Sequence, residues 1–318
     1  MLENSANATN IFLDDEKGEI LAYFDAVAES KHFDAHDGTR IHFSQIVNQK
    51  NKKLLVILPG RTEPAAKYAE MAYDLRYEGY DIVIVDHRGQ GFSDRILENK
   101  KIGHVENFID YVLDLEEAGR LISRIKKYEK KVMLAHSMGS IVGLLHAQRN
   151  PKFWDGLILG SPMLEIKTRS FPSWVVSNLF KVMKRVGMAD GFVPGGTEDE
   201  QEPFENNSVT HCPHRFRLAR YIEEREPCLF VADPSPNWVL EGFKGSQQAL
   251  EGRHVLKMPI LMFQAGKDEY VHEEAQNEFA STMVNCKKVR FRNAYHEIFQ
   301  EKDSIRDKAI KEIIRFLK

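Results

Sequence analysis

The sequence predicts an α/β fold: a mostly parallel sheet with helices on both faces, interrupted by one inserted helical segment. Three observations predict it. Short apolar runs rich in β-branched residues alternate with segments of helical period. An Asp37-Gly38 pair between two alternating runs marks an antiparallel hairpin near the start. A stretch from about residue 163 to 256 contains no core strand.

Residues 1–30 read as a polar lead-in, acidic at Asp14-Asp15-Glu16, with one amphipathic stretch near Ile20–Val27. His32–Ala35 and Arg40–Val47 flank the Asp37-Gly38 turn and supply the antiparallel edge. Lys53–Leu58, Asp81–Val85, Lys131–Ala135, Gly156–Leu159, Ile260–Gln264 and Lys288–Phe291 read as strands. Continuous apolar strands suit a sheet that meets water on neither face. Helical spacing over Ala65–Glu78, Val105–Lys127, Met138–Arg149, Glu273–Val284 and Ser304–Leu317 supplies the covering layers. The core is therefore expected over residues 31–162 and 257–318, with 163–256 as an insertion. That insertion carries Pro172, Gly187, Pro194-Gly195-Gly196 and the acidic run Glu198–Glu202, and it is expected to cap a site on the core.

The 318 residues suffice for a large core, and 42% hydrophobic with 29% charged is ordinary globular composition. A net charge of −3 supplies no basic field to hold nucleic acid. The three cysteines, Cys212, Cys228 and Cys286, form no disulfide framework, which fits a reducing compartment. His211-Cys212-Pro213-His214 lacks a second ligand pair at zinc spacing, so no metal is expected. The N-terminal residues lack the pattern of a signal peptide, and no apolar run approaches the roughly 18 residues of a membrane span. The expected location is the cytoplasm.

The chemistry concentrates at Ala135-His136-Ser137-Met138-Gly139, between a strand and a helix. A serine hydroxyl needs a base and an oxyanion site to act as a nucleophile. A small-x-Ser-x-Gly turn lifts the serine above the sheet, and small residues two before and two after it let neighbouring backbone pass; Ala135 stands where glycine is usual. An acid should follow a later strand and a histidine the last one. Asp268 follows Ile260–Gln264, and His296 follows Lys288–Phe291. The expected triad of this α/β-hydrolase pattern is Ser137, Asp268 and His296. Glu269 and Asp86 are the rival acids, Asp86 fitting better as a loop brace. His136 fits a packing or hydrogen-bonding role, and His87 precedes the serine, in the wrong order. The oxyanion hole is expected from the backbone N–H groups of Met138 and Arg61, with Gly60 giving close backbone approach. The Arg61 side chain either reaches a polar or anionic substrate group or pairs outward with Glu63.

Leu58-Pro59-Gly60-Arg61, Lys67-Tyr68-Ala69-Glu70-Met71-Ala72-Tyr73-Asp74-Leu75, Asp86-His87-Arg88-Gly89-Gln90-Gly91, the Ser137 turn and Asn237-Trp238-Val239 together resemble the bacterial lysophospholipase L2 type within the monoacylglycerol-lipase-like branch of the α/β-hydrolases. The resemblance spans about residues 30 to 318. It implies hydrolysis of the acyl ester of a lysophospholipid or related single-chain lipid ester, or transfer of the acyl group to another lipid alcohol. It places the triad on the same three residues. Arg61 stands where monoacylglycerol lipases usually carry a different polar residue, a departure that weakens a neutral-glyceride assignment. Monoacylglycerol lipase, thioesterase and small-ester hydrolase remain alternatives, as does a non-catalytic binding protein of the same fold. The mechanism needs no cofactor.

Two insertion features bear on substrate. Pro172 to Gly187 reads as a helix with Ser173, Ser177, Lys181 and Lys184/Arg185 as a polar strip, and Trp174, Leu179, Phe180 and Val182 among a wide apolar remainder. That face either packs within the molecule or forms an acyl tunnel, a membrane-facing surface or both. The membrane reading places the protein peripherally on the cytoplasmic face of the inner membrane. Trp174 and Phe180 are then candidate substrate contacts. Arg217, in His214-Arg215-Phe216-Arg217-Leu218-Ala219-Arg220, is a candidate phosphate ligand; a solvated face pairing with Glu223, Glu224 and Glu226 explains the same residues.

Overall fold

The computed structural model describes residues 16–168, 171–198 and 203–318. Asp14, Asp15, the start of the lead-in and residues 199–202 of the second acidic run lie outside the described residues. Eight strands form one sheet: β1 (Glu29–Asp34), β2 (Arg40–Ile46), β3 (Lys53–Leu58), β4 (Tyr80–Val85), β5 (Lys130–His136), β6 (Gly156–Gly160), β7 (Ile260–Ala265) and β8 (Cys286–Phe291), in the order β1-β2-β4-β3-β5-β6-β7-β8. The β1–β2 hairpin is antiparallel, with Asp34 opposite Arg40, and β2 runs antiparallel to β4. All other pairings are parallel. Gly38 at φ 83° makes the hairpin turn.

Strand alternation splits the core in two. Leu54, Val56 and Leu58 enter one cluster, and Leu55 and Ile57 the other. The first face is covered by α3 (Phe108–Ile125), α4 (Met138–Arg149) and α8 (Glu273–Thr282). The second is covered by α1 (Glu16–Val27), α2 (Ala69–Leu75) and α9 (Asp303–Leu317). The single helix expected over Ala65–Glu78 is instead a 3₁₀ turn, Ala65–Tyr68, followed by α2. The tight turn carries Lys67 and Tyr68 back onto Glu63. At the other end the chain turns off through Gly79 at φ 76°.

Between β6 and β7 lie α5 (Ser173–Arg185), α6 (Pro213–Arg225) and α7 (Pro236–Glu251), and they are anchored unequally. Leu218 and Ile222 of α6 join the second core cluster. Arg215, also on α6, is buried and bonds Glu70 of α2 through Nε at 2.7 Å and Nη2 at 2.6 Å. Trp238 and Ala249 of α7 join the first cluster, Trp238 Nε1 donates to Tyr111 Oη at 3.2 Å, and a Cβ on Gly245 would lie 2.6 Å from the Phe108 ring. By packing, α7 belongs to the layer that covers the sheet, although it falls within the expected insertion 163–256. Only Phe180 of α5 is buried. Trp174 is 68% exposed, Val182 53% and Val186 63%.

Candidate active site

At the end of β5 the backbone turns sharply: Ser137 sits at φ 48° and ψ −116°, and α4 begins at the next residue. Left-handed φ is strained for a serine and persists only where its surroundings over-determine it. Ser137 N donates to Gly160 O at 2.9 Å, and Met163 N to Ser137 O at 3.2 Å. The glycine two residues on is obligatory, because a Cβ on Gly139 would lie 2.4 Å from the carbonyl oxygens of Leu58 and Pro59.

The turn brings Ser137 Oγ to 2.9 Å from His296 Nε2, while His296 Nδ1 lies 2.7 Å from Asp268 Oδ2. Asp268 stands after β7 and His296 after β8, so three strand ends converge on one point. The other Asp268 oxygen accepts from the N–H groups of Tyr270 at 2.8 Å and Val271 at 3.1 Å. Burial opposes ionisation of Asp268, but His296 and these two N–H groups outweigh it and hold the carboxyl below its ordinary value. An ionised Asp268 fixes the proton of His296 on Nδ1 and leaves the Nε2 lone pair facing the serine. The His296 carbonyl oxygen is itself held, by Ser161 Oγ at 2.6 Å and His136 Nε2 at 3.3 Å.

The loop after β3 faces the same point. Among the described residues, neither the Arg61 N–H nor the Met138 N–H has an acceptor, and Met138 opens α4, where the helix dipole is positive. Beneath the loop lies a buried carboxylate. Glu63 Oε2 accepts from Gly60 N, from Tyr68 Oη at 2.7 Å and from His136 Nδ1 at 3.0 Å. Its Oε1 accepts from Lys67 Nζ at 3.0 Å, and Lys67 reaches Glu297, beside the histidine, at 2.6 Å. Gly60 is required here for a reason other than substrate approach: a Cβ would lie 2.8 Å from Glu63 Oε2 and 2.9 Å from His136 Nδ1. Burial penalises the Glu63 charge, yet His136 and Lys67 hold its carboxyl well below the usual range. Burial likewise opposes charge on His136, and Glu63 raises its pKa above the ordinary value.

The remaining expected residues divide. Asp86 braces loops, taking Ala65 N at 2.7 Å, Phe92 N at 2.9 Å and His42 Nδ1 at 2.8 Å. His87 is buried against Pro59 O at 3.1 Å, and burial lowers its pKa to about 4. Glu269 is exposed. An outward Arg61–Glu63 pair does not form: Glu63 turns inward, and Arg61 Nη1 donates to Ala232 O at 2.7 Å, its guanidinium 5.6 Å from the Trp238 ring. Arg217 lies outside the cavity lining and pairs bidentately with Glu224 at 2.5 and 2.9 Å, two helical turns along α6. Trp174 also lies outside the cavity, on the solvent side of α5.

Above the triad opens a cavity of about 620 Å³, within the roughly 300–1,000 Å³ of small-molecule sites. Ser137, His296 and Gly60 line its floor, and Phe171, Val176, Leu179 and Phe180 form an apolar wall. Sequence reasoning missed Glu63, Lys67, Ser161 and Asp233 around this site. A carboxylate three residues after Gly60 with a lysine at i+4 was the available signal, and it gives no hint of burial.

The family model described as "Serine aminopeptidase, S33" matches residues 49–303. Lysophospholipase L2 of Escherichia coli (strain K12) is 33% identical over 297 residues, covering 91% of this chain and 87% of that protein. A probable lysophospholipase L2 of Haemophilus influenzae is 26% identical over 302 residues, covering 94% of this chain and 95% of that protein. Among solved structures, a thermostable carboxyl esterase from Bacillus coagulans superposes with a TM-score of 0.74 at 17% identity, covering 92% of this chain and 98% of that one.

Proposed function

The chain belongs to the serine aminopeptidase S33 family and, within it, to the lysophospholipase L2 group, and from that premise we propose that it cleaves the acyl ester of lysophospholipids through an acyl-enzyme on Ser137. The observation that carries this reading is the Ser137–His296–Asp268 hydrogen-bonded chain on the floor of a cavity with an apolar wall. The apolar wall receives the acyl chain and presents the ester carbonyl to the serine. His296 Nε2 takes the Oγ proton as the Oγ–carbon bond forms, and the oxyanion meets the N–H groups of Met138 and Arg61. His296 then protonates the departing glycerol oxygen as the ester C–O bond breaks. Water repeats the sequence, losing its proton to His296 while the fatty acid leaves Ser137. A lipid alcohol in place of that water gives acyl transfer.

We assign the segment between β6 and β7, up to the start of α7, as the cap that closes this cavity. Among the described residues no helix is long and apolar enough to cross a membrane. The exposed apolar residues Phe171, Trp174, Leu179, Val182, Val186 and Met188 support peripheral contact of α5 and its flanks with a lipid surface, from which a single-chain lipid can be drawn.

Ser137→Ala is expected to reduce release of fatty acid from lysophosphatidylethanolamine by at least about 10³-fold, and a fluorophosphonate probe to label Ser137 alone. Undiminished turnover by that variant would end the assignment.

A further inference from the structure

Among the described residues, five charged side chains line the cavity: Arg61, Glu63, Lys167, Asp233 and Glu297. Glu63 and Glu297 are neutralised by Lys67, and Glu63 also by His136. Lys167 also meets only a main-chain oxygen, that of Asp268 at 2.7 Å, but its ammonium is a point charge without a planar fork of donors. Arg61 and Asp233 remain. Among the described residues, the Arg61 guanidinium donates only to the neutral Ala232 carbonyl and has no carboxylate within 4.0 Å. Asp233 Oδ2 accepts from Thr197 N at 3.1 Å, and among the described residues no cation lies within 4.0 Å of it. The two are sequence neighbours of one contact, since Ala232 holds Arg61 and Asp233 follows it, yet their anchors keep them from pairing. Both residues are half-buried, and a charge partly withdrawn from water without an ion-pair partner carries a desolvation cost that a ligand of opposite charge offsets.

We propose that Arg61 and Asp233 form a headgroup subsite for a zwitterionic phosphoester, the guanidinium receiving the phosphate and the carboxylate facing the ammonium group. The proposal rests on the lysophospholipid reading and sharpens it. Arg61 suits the phosphate because a guanidinium offers several N–H donors in a planar fork. Its place is also right. The Arg61 N–H faces the acyl carbonyl, so its guanidinium stands one side-chain length from the reacting ester, and a glycerol backbone separates ester from phosphate by a few bonds. Asp233 then discriminates. A neutral monoacylglycerol leaves both charges unanswered, and a lysophosphatidate sets its phosphate near a carboxylate with no ammonium between them.

The test measures kcat/KM, below micelle formation and with one acyl chain throughout, for lysophosphatidylethanolamine, lysophosphatidate and monoacylglycerol. Ratios are taken within each variant, so a general loss of folded protein cancels. Wild type should prefer the zwitterion. Arg61→Met should cut the zwitterion-to-monoacylglycerol ratio by about 10- to 100-fold, and Arg61→Lys by less. Asp233→Asn should cut the zwitterion-to-lysophosphatidate ratio by about 10-fold. Ratios that stay at wild-type values in both Arg61→Met and Asp233→Asn overturn the subsite while leaving lysophospholipase activity intact. So does a ratio that moves in Lys167→Met and not in Arg61→Met. A wild-type enzyme that cleaves monoacylglycerol and no lysophospholipid instead overturns the substrate reading itself, and the subsite with it.

Discussion

Both ring nitrogens of His136 face acceptors, Glu63 Oε2 at 3.0 Å and the His296 carbonyl oxygen at 3.3 Å, and only the imidazolium donates to both. This makes His136 a positioning residue for two parts at once: through Glu63 it steadies the Gly60 loop, and through the carbonyl it steadies His296. The pH consequences follow from the directions of the shifts. His136 has a raised pKa, so its contribution to stability is full below its ordinary 6.5 and is lost as pH rises through the raised value. Glu63 has a depressed one, so its contribution is full above about 4.5 and is lost as pH falls. His136→Gln should therefore flatten the alkaline fall in unfolding free energy, measured by urea titration across pH. A fall unchanged in that variant would assign it to other groups. Glu63→Gln should lower kcat more than it raises KM, since it loosens the oxyanion loop and leaves in place the apolar wall that receives the acyl chain.

At the scale of elements, α5, α6 and α7 differ in what holds them. Arg215 ties α6 to α2 and reaches the Glu301 carbonyl oxygen before α9 at 2.6 Å. Truncating one partner of a buried pair leaves the other charge uncompensated. Arg215→Ala is expected to lower unfolding free energy by about 3 kcal/mol, less what Arg306 recovers by its 3.4 Å contact with the same Glu70 carboxylate. Urea denaturation reads that change. By contrast α5 contributes little to the core. Trp174→Asp with Val182→Asp should shift stability by no more than about 0.5 kcal/mol per site, while sharply weakening sedimentation with phosphatidylethanolamine–phosphatidylglycerol vesicles. Full retention on vesicles would dismiss α5 as a lipid-facing surface. The helical period of α5 was legible from residue order. Which way its apolar face points was not, because outward exposure is decided by the surrounding elements.

At the scale of the molecule, what could be read in advance follows one rule. Features that a local pattern enforces were visible: β3 and α4 have the limits expected of them, because an apolar run ending at Pro59 and a helix entered from the serine turn leave little choice. The meeting of Ser137, Asp268 and His296 was inferable from chain order, because parallel strands bring their C-terminal ends to one edge of the sheet. Features that depend on what the fold places opposite were not. Arg217 and Arg61 both look able to meet an anion in the sequence, yet one is matched by Glu224 on its own helix and the other faces the cavity. Glu63 looks like a surface carboxylate until the β5 histidine and Lys67 close around it.

The backbone geometry of Ser137 carries a consequence for how this chain can evolve or be engineered. A φ of 48° is a conformation glycine adopts freely and serine does not. With the hydroxyl gone in both, Ser137→Gly should therefore be more stable than Ser137→Ala by about 1 kcal/mol, the relieved strain exceeding the added freedom of the unfolded glycine; equal melting temperatures would mean the turn is unstrained. Selection for thermal endurance alone would push this position toward residues that cannot form an ester bond. The nucleophile persists there against the preference of the fold.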